Sequence, residues 1–170
     1  MNSEQSPIII DIEASGFGRG SYPIEVGVVM PDGKTHCRLL RPEPDWTHWS
    51  EQAEQVHGIS RDILFEHGHE VREVALFLNE LLCGQVVYSD AWGNDQTWLG
   101  RLFDAVGLWP SFRLETLRVL IREDRLIFWE SSKAEVLKDL NITRHRASND
   151  ALILQKALLK TITAEQMYPA

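Results

Sequence analysis

The feature that most constrains the fold is a short apolar run near the start of the chain that ends in acidic residues. Residues 7–13 read Pro-Ile-Ile-Ile-Asp-Ile-Glu, and a Ser-Gly-Phe-Gly stretch stops the run at residues 15–18. Because the run is too short for a confident helix, it predicts a buried central strand. Side chains alternate along a strand, so Asp11 and Glu13 are expected on one face of the sheet and Ile12 on the other.

The rest of the chain predicts an α/β fold in which an antiparallel meander comes first and helices then alternate with strands. A Pro-Asp-Gly turn at residues 31–33 joins the second and third strands. The predicted strands cover residues 7–13, 22–30, 34–40, 85–89 and 112–115, and the predicted helices cover residues 46–56, 61–65, 71 to about 84, 94–106, 115–122, 131–139 and 149–161. We therefore expect a mixed β-sheet flanked by α-helices, in one domain over residues 1–170 with its core over about residues 7–162.

Charge and cysteine content exclude several classes of protein. The chain carries 17 Lys and Arg against 25 Asp and Glu, a net charge of −8, which suits poorly a protein that holds long nucleic acid by neutralising phosphates. Its two cysteines are far apart, which excludes a disulfide scaffold or a Cys-rich zinc site. No apolar run approaches the roughly 18 residues of a membrane span, and the N-terminus lacks signal-peptide features. We expect a cytoplasmic protein with no membrane partner.

Basic side chains concentrate in one part of this acidic chain, between residues 113 and 146. Solvated helix faces, on which the basic residues alternate with Glu and Asp, are one interpretation. A short strip that faces phosphates is the other. The residues concerned are Arg113, Arg118, Arg122, Arg125, Lys133, Lys138, Arg144 and Arg146.

Asp11 and Glu13 form an unusual pair for the end of an apolar strand. Two neighbouring like charges at a buried edge are unfavourable unless a cation lies between them. Hard carboxylate oxygens are ligands that suit Mg²⁺ or Mn²⁺, so the pair is a candidate metal site. The alternative is two strand-end carboxylates that face water.

Three further residues carry chemistry but are ambiguous when taken singly. Asp95 follows the fourth strand at a helix start, and Asp150 opens the last helix. An acidic residue in a first helical turn is favoured by the helix dipole, so both are compatible with a purely local role. His145 lies five residues before Asp150 in a basic loop, where a solvated histidine is equally compatible with the pattern.

The order of these motifs resembles the DEDDh exonucleases, the DnaQ-like family of the ribonuclease H-like superfamily. The motifs are Asp-Ile-Glu-Ala-Ser-Gly at 11–16, His-Gly-Ile at 57–59, Ser-Asp-Ala-Trp-Gly-Asn-Asp-Gln-Thr-Trp-Leu at 89–99 and His-Arg-Ala-Ser-Asn-Asp at 145–150. The resemblance covers residues 8 to about 160. The chain departs from the family at Ala14-Ser15, where a Thr usually follows the Glu, and at Ala91 and Asn94, which replace an Asn and an aromatic residue.

The resemblance implies a ribonuclease H-like sheet in which strands one to three are antiparallel and the later strands are parallel. It also implies that Asp11, Glu13, Asp95 and Asp150 hold two divalent cations, Mg²⁺ or Mn²⁺, with His145 as general base. Asp90, at the very end of the fourth strand, is a rival for the third carboxylate. Asp95 is preferred because Trp98 and Leu99 follow it at the family's spacing.

The activity implied is 3′→5′ exonuclease cleavage of single-stranded DNA or RNA ends, including short oligonucleotides, to nucleoside 5′-monophosphates. By the same analogy the terminal nucleotide would be bound by Ala14, Ser15, Gly16, Phe17, His57 and Ile59, whereas Glu25 is interpreted as structural. Two alternatives remain open: a proofreading or repair subunit acting with a polymerase, and an inert module that binds nucleic-acid ends or a protein. Some stand-alone relatives are dimers, so a homodimer is a further expectation.

Overall fold

The computed structural model describes residues 6–140 and 142–163, and its centre is a sheet with strand order β3-β2-β1-β4-β5. The strands are β1 (Ile8–Ala14), β2 (Pro23–Val29), β3 (Thr35–Leu39), β4 (Val86–Ser89) and β5 (Arg113–Thr116). The first three pair antiparallel, whereas β4 pairs with β1 and β5 with β4 in parallel. The mixed sheet predicted from the sequence is therefore confirmed.

Helices cover both faces of this sheet. They are α1 (Glu51–His57), α2 (Arg61–His67), α3 (Val71–Leu82), α4 (Trp92–Ala105), α5 (Leu126–Leu140) and α6 (Ala147–Thr163). α3 and α4 contribute to a hydrophobic cluster on one face, and α5 and α6 contribute to a second cluster on the other. None of the described helices is long and apolar enough to pass through a bilayer.

The central strand β1 is shared between the two clusters. Ile10 and Ile12 belong to the cluster of α3 and α4, whereas Ile9 belongs to that of α5 and α6. Because side chains alternate along a strand, Asp11 and Glu13 point to the same face as Ile9. The two carboxylates therefore lie on the face that α6 covers.

The predicted helix over residues 46–56 is wrong in its first part. Trp46 is buried and stacks on Tyr22, with 5.1 Å between ring centroids, in a non-helical segment. The helix starts only at Glu51, because the Ser50 hydroxyl accepts a hydrogen bond from the backbone N–H of Ala53. Tertiary packing of the tryptophan thus prevails over local helical preference.

The helix predicted over residues 115–122 is also wrong. β5 runs on to Thr116, and a short 3-10 turn, Leu117–Leu120, follows it. The Thr116 hydroxyl accepts from the backbone N–H of Arg118, which starts this tighter turn. α5 starts five residues before the predicted position because its first turns, with the buried Trp129, pack in the second cluster.

Candidate active site

The carboxyl ends of β1 and β4 open into a cleft of about 730 Å³. Residues far apart in the sequence meet on its walls, because the parallel strands β1 and β4 end at the same edge of the sheet and α6 starts beside them. The sequence-derived candidates that line the cleft are Asp11, Glu13, Ala14, Gly16, Phe17, His57, Asp90, Asp95, His145 and Asp150.

Asp11 lies at the electrostatic centre of this group. Burial raises the pKa of its carboxyl well above the usual value, and the charge of Asp95 is the next largest cause. The charges of Glu13 and Asp150 raise this pKa further. The four carboxylates are therefore close enough for each to oppose the ionisation of its neighbours, which is the situation that a bound cation relieves.

Asp95 is almost fully buried at the start of α4. It accepts a hydrogen bond from the Ser89 hydroxyl at the end of β4. Burial raises the pKa of Asp95 to about 7, although the hydrogen bond from Ser89 acts in the opposite direction. Asp90, the rival candidate, also lines the cleft but is exposed, and its charge is the smallest of the carboxylate effects on the pKa of Asp11.

Glu13, His145 and Asp150 form the tightest group in the cleft. Each offers one potential ligand atom, and these atoms lie within 4.8 Å of one another. Burial raises the pKa of Glu13 to about 7, with a further contribution from the charge of Asp150. Two carboxylates and one imidazole at this distance fit a divalent metal ion.

The loop before α6 brings His145 to the cleft. His145 adopts a left-handed backbone conformation, with φ of 62°. Its backbone N–H donates to Asp150 Oδ2 at 2.9 Å. Asp150 therefore fixes the backbone of His145, while the imidazole stays available to the cleft.

An ion pair between the buried Glu25 and the partly exposed Arg146 fastens the start of α6 to the sheet. Glu25 on β2 is completely buried and receives three hydrogen bonds from the Arg146 guanidinium, the shortest at 2.6 Å. The backbone N–H of Ala147 donates to the same carboxylate at 2.8 Å. The sequence indicates a structural role for Glu25 but does not identify Arg146, 121 positions away, as its partner.

Gly27 on β2 allows α6 to approach the sheet. A Cβ atom at this position would lie 2.1 Å from the carbonyl carbon of Ala147 and from the backbone nitrogen of Ser148. Gly27 pairs with Asp11 across the sheet, and Glu25 pairs with Glu13. The helix that carries Asp150 thus starts directly beside the two acidic positions of β1.

The predicted nucleotide-binding residues fall into two groups. Ala14, Gly16, Phe17 and His57 line the cleft, and Phe17 is 74% exposed. The Phe17 ring lies 5.9 Å from that of the buried Trp98. An exposed aromatic ring at the edge of a cleft suits stacking against a flat partner such as a base.

Ser15 and Ile59 are not among the residues that line the cleft. The Ser15 hydroxyl accepts from the backbone N–H of Tyr22 at 3.1 Å and bonds to His48. Ile59 is buried in the cluster of α3 and α4, and its backbone N–H donates to Nδ1 of His57. Both residues support their neighbours in the motif, and direct contact with a nucleotide remains a prediction.

Solved structures with the same fold are exonucleases I. The E. coli enzyme in complex with a dA16 oligonucleotide matches with a TM-score of 0.67 and 13% identity, over 93% of this chain and 41% of that chain. The zinc-bound complex of the E. coli enzyme with single-stranded DNA matches with a TM-score of 0.67 and 12% identity, over 97% and 42%. The enzyme from Methylocaldum szegediense matches with a TM-score of 0.63 and 13% identity, over 94% and 40%.

At this level of identity the likeness shows the fold, which is ribonuclease H-like as the sequence predicted. The chain spans about two fifths of the length of these exonuclease I chains. No protein-family model matches the sequence, and no curated protein sequence matches it.

Proposed function

We propose that the chain is a metal-dependent 3′→5′ exonuclease that releases nucleoside 5′-monophosphates from single-stranded nucleic-acid ends. The observation that carries this proposal is the convergence of four carboxylates and His145 in one cleft. The structural neighbours include complexes with single-stranded DNA, which makes DNA the first substrate to test and RNA the second. A cytoplasmic location and a homodimer stay predictions.

The carboxylates of Asp11, Glu13, Asp95 and Asp150 would hold two divalent cations, Mg²⁺ or Mn²⁺. When bound, the cations supply a reactive water at neutral pH and stabilise the leaving oxygen. The raised pKa values of Asp11, Glu13 and Asp95 support this role, because a cation offsets the burial and the like-charge repulsion that raise them.

His145 acts as the general base in this proposal. Imidazole accepts and releases protons near neutral pH, and a base must lie within hydrogen-bond reach of the water it deprotonates. The proximity of His145 to Glu13 and Asp150 supports this role. Phe17 and His57 lie against the terminal base, and the backbone at Ala14 and Gly16 follows the terminal sugar.

The test is the incubation of a 5′-labelled DNA oligonucleotide, and of the matching RNA, with the protein and Mg²⁺ or Mn²⁺. We expect a ladder that shortens from the 3′ end, that disappears in EDTA and in Asp11→Asn, and that persists in the exposed control Glu80→Gln. Binding without shortening in either metal would support the inert module, and internal cuts would indicate an endonuclease.

A further inference from the structure

The basic residues of the cleft come from one wall of its lining. The first wall comes from the loop after β1, from α1 with its N-cap and from α4, and it carries Phe17, Ala53, Val56 and Trp98 beside the polar Ser50 and Gln52. The second wall comes from α5 and from the loop before α6, and it carries Lys133 and Arg144 beside Glu130, Ala134 and Leu137. A single-stranded nucleic acid has the same asymmetry, with flat apolar bases on one side and anionic phosphates on the other.

Lys133 is the less exposed of the two basic residues on this second wall. Its side chain is only 25% exposed, and its ammonium lies 5.2 Å from the centre of the Trp129 ring. The ammonium therefore lies against the Trp129 ring on the part of the cleft lining that α5 supplies.

The current partner of Lys133 is a weak one. Glu130 Oε1 lies 3.1 Å from the ammonium, but the Glu130 side chain is 79% exposed. Exposed ion pairs of this kind contribute little to stability, since water screens them. A phosphate that enters the cleft can therefore replace the Glu130 carboxylate at low cost.

Other basic residues of the 113–146 segment are engaged elsewhere. Arg113 pairs with Glu115, and Arg146 with Glu25. Lys138 is exposed on α5 and is not part of the cleft lining. Of the eight basic residues in this segment, Lys133 and Arg144 are the two that line the cleft.

We propose that Lys133 binds the backbone phosphate on the 5′ side of the scissile one, while the bases lie against the apolar wall of Phe17 and Val56. This inference rests on the proposed function and adds a substrate preference to it. Because the contact is to the backbone, it is independent of base sequence. It requires a second phosphate, so the enzyme prefers oligonucleotides to esters that contain a single phosphodiester.

The binding test uses the His145→Ala background, which keeps the carboxylates but lacks the proposed base. A fluorescent (dT)8 strand is titrated in Mg²⁺ at several salt concentrations, with fluorescence anisotropy as the readout. The logarithm of the affinity is plotted against the logarithm of the salt concentration. We expect Lys133→Ala to make the negative slope of this plot shallower by about 0.7, the value for one phosphate contact on a single strand. Lys133→Arg should keep the slope, and Lys138→Ala, the same charge change on the same helix, should leave it unchanged.

Glu130→Gln should change the affinity for (dT)8 in the opposite direction to Lys133→Ala. Removal of the competing carboxylate should tighten (dT)8 binding, because the Lys133 ammonium then has no ion pair with Glu130 that a phosphate must replace. If Lys133 is only a structural residue, neither Lys133→Ala nor Glu130→Gln changes the slope or the affinity. That result would overturn the inference.

The activity test compares (dT)8 with the 4-nitrophenyl ester of thymidine 5′-monophosphate, which has one phosphodiester and no neighbouring phosphate. In the otherwise wild-type protein, Lys133→Ala should lower kcat/KM for (dT)8 about tenfold, mainly because KM rises. The loss of kcat/KM for the ester should be several times smaller. Equal losses on both substrates would contradict the inference. If the unmodified protein cleaves neither substrate, the proposed function fails, and the salt slope still decides the role of Lys133.

Discussion

Two glutamates that face each other across the sheet have opposite surroundings. Glu13 on β1 pairs in register with Glu25 on β2. Glu25 is fully buried and receives hydrogen bonds from Arg146 and from the backbone of Ala147. Glu13 opens into the cleft beside Asp150, and burial raises its pKa to about 7.

The difference shows where the fold supplies its own counter-charge and where it does not. Arg146 neutralises Glu25 directly, so this carboxylate can hold α6 against the sheet. The same arginine only moderates the pKa of Glu13. A crowded carboxylate whose protein partners are mostly acidic is ready to accept a cation from solution.

Glu13→Gln should have the largest effect of the variants that probe this contrast. We expect turnover to fall by about 10³-fold, because a cation ligand at the site of charge development is lost. In EDTA the variant should be at least as stable as the wild type above neutral pH, since one of the mutually repelling charges is gone. Exonuclease assays and urea denaturation measure the two effects separately. A stable variant with full activity would remove Glu13 from the site.

Glu25→Gln should have the reverse profile. It keeps the size of the side chain but removes the charge that pairs with Arg146, and we expect a loss of about 2–3 kcal/mol in the free energy of unfolding. Activity should fall less than in Glu13→Gln when both are assayed well below the melting temperature. If Glu25→Gln is inactive but fully stable, the distinction between the two glutamates is wrong.

Gly27→Ala tests the approach of α6 to the sheet. The added methyl group would overlap the backbone at Ala147, so the helix must shift, at a cost of about 1–3 kcal/mol. Because α6 carries Asp150, we expect weaker Mn²⁺ binding as well as lower stability. Gly93→Ala, at a position where an added Cβ atom would meet open space, is the matched control. Unchanged Mn²⁺ affinity in Gly27→Ala would show that the helix start does not set the metal site.

The last prediction is a pH dependence in the absence of metal. The folded-state pKa of Glu13 is about 7 against an ordinary value of 4.5, so the folded chain retains a proton that the unfolded chain releases between these values. Stability contributed by this proton is present below about pH 4.5 and is lost as the pH rises towards 7. The urea midpoint in EDTA should therefore fall, relative to that of Glu13→Gln, between pH 4.5 and 7. If the urea midpoint of the wild type stays constant or rises relative to that of Glu13→Gln over this pH range, the raised pKa of Glu13 is contradicted.

Local sequence signals predicted the strands well. The apolar run of β1 fixes both the strand and the shared face of Asp11 and Glu13, because alternation along a strand depends only on position. The helical repeat in α3 works in the same way. Element boundaries were less accurate where packing decides, as at Trp46, which is buried in a loop instead of starting a helix.

Contacts between distant segments left no local signal. Nothing near Glu25 in the sequence identifies Arg146 as its partner, and nothing near Lys133 shows that α5 forms a wall of the cleft. The choice of Asp95 over Asp90 as the third carboxylate stays a prediction. Both line the cleft, but Asp95 is buried and hydrogen-bonded to Ser89, whereas Asp90 is exposed.

The most direct measurement is the anomalous diffraction of a crystal grown with Mn²⁺ and a nucleoside 5′-monophosphate. We expect manganese peaks among the carboxylate oxygens of Asp11, Glu13, Asp95 and Asp150, with the nucleotide phosphate on the same ions. The base should lie towards Phe17, and the peaks should disappear in Asp11→Asn. Manganese bound elsewhere, or a cleft that binds neither ion nor nucleotide, would contradict the account.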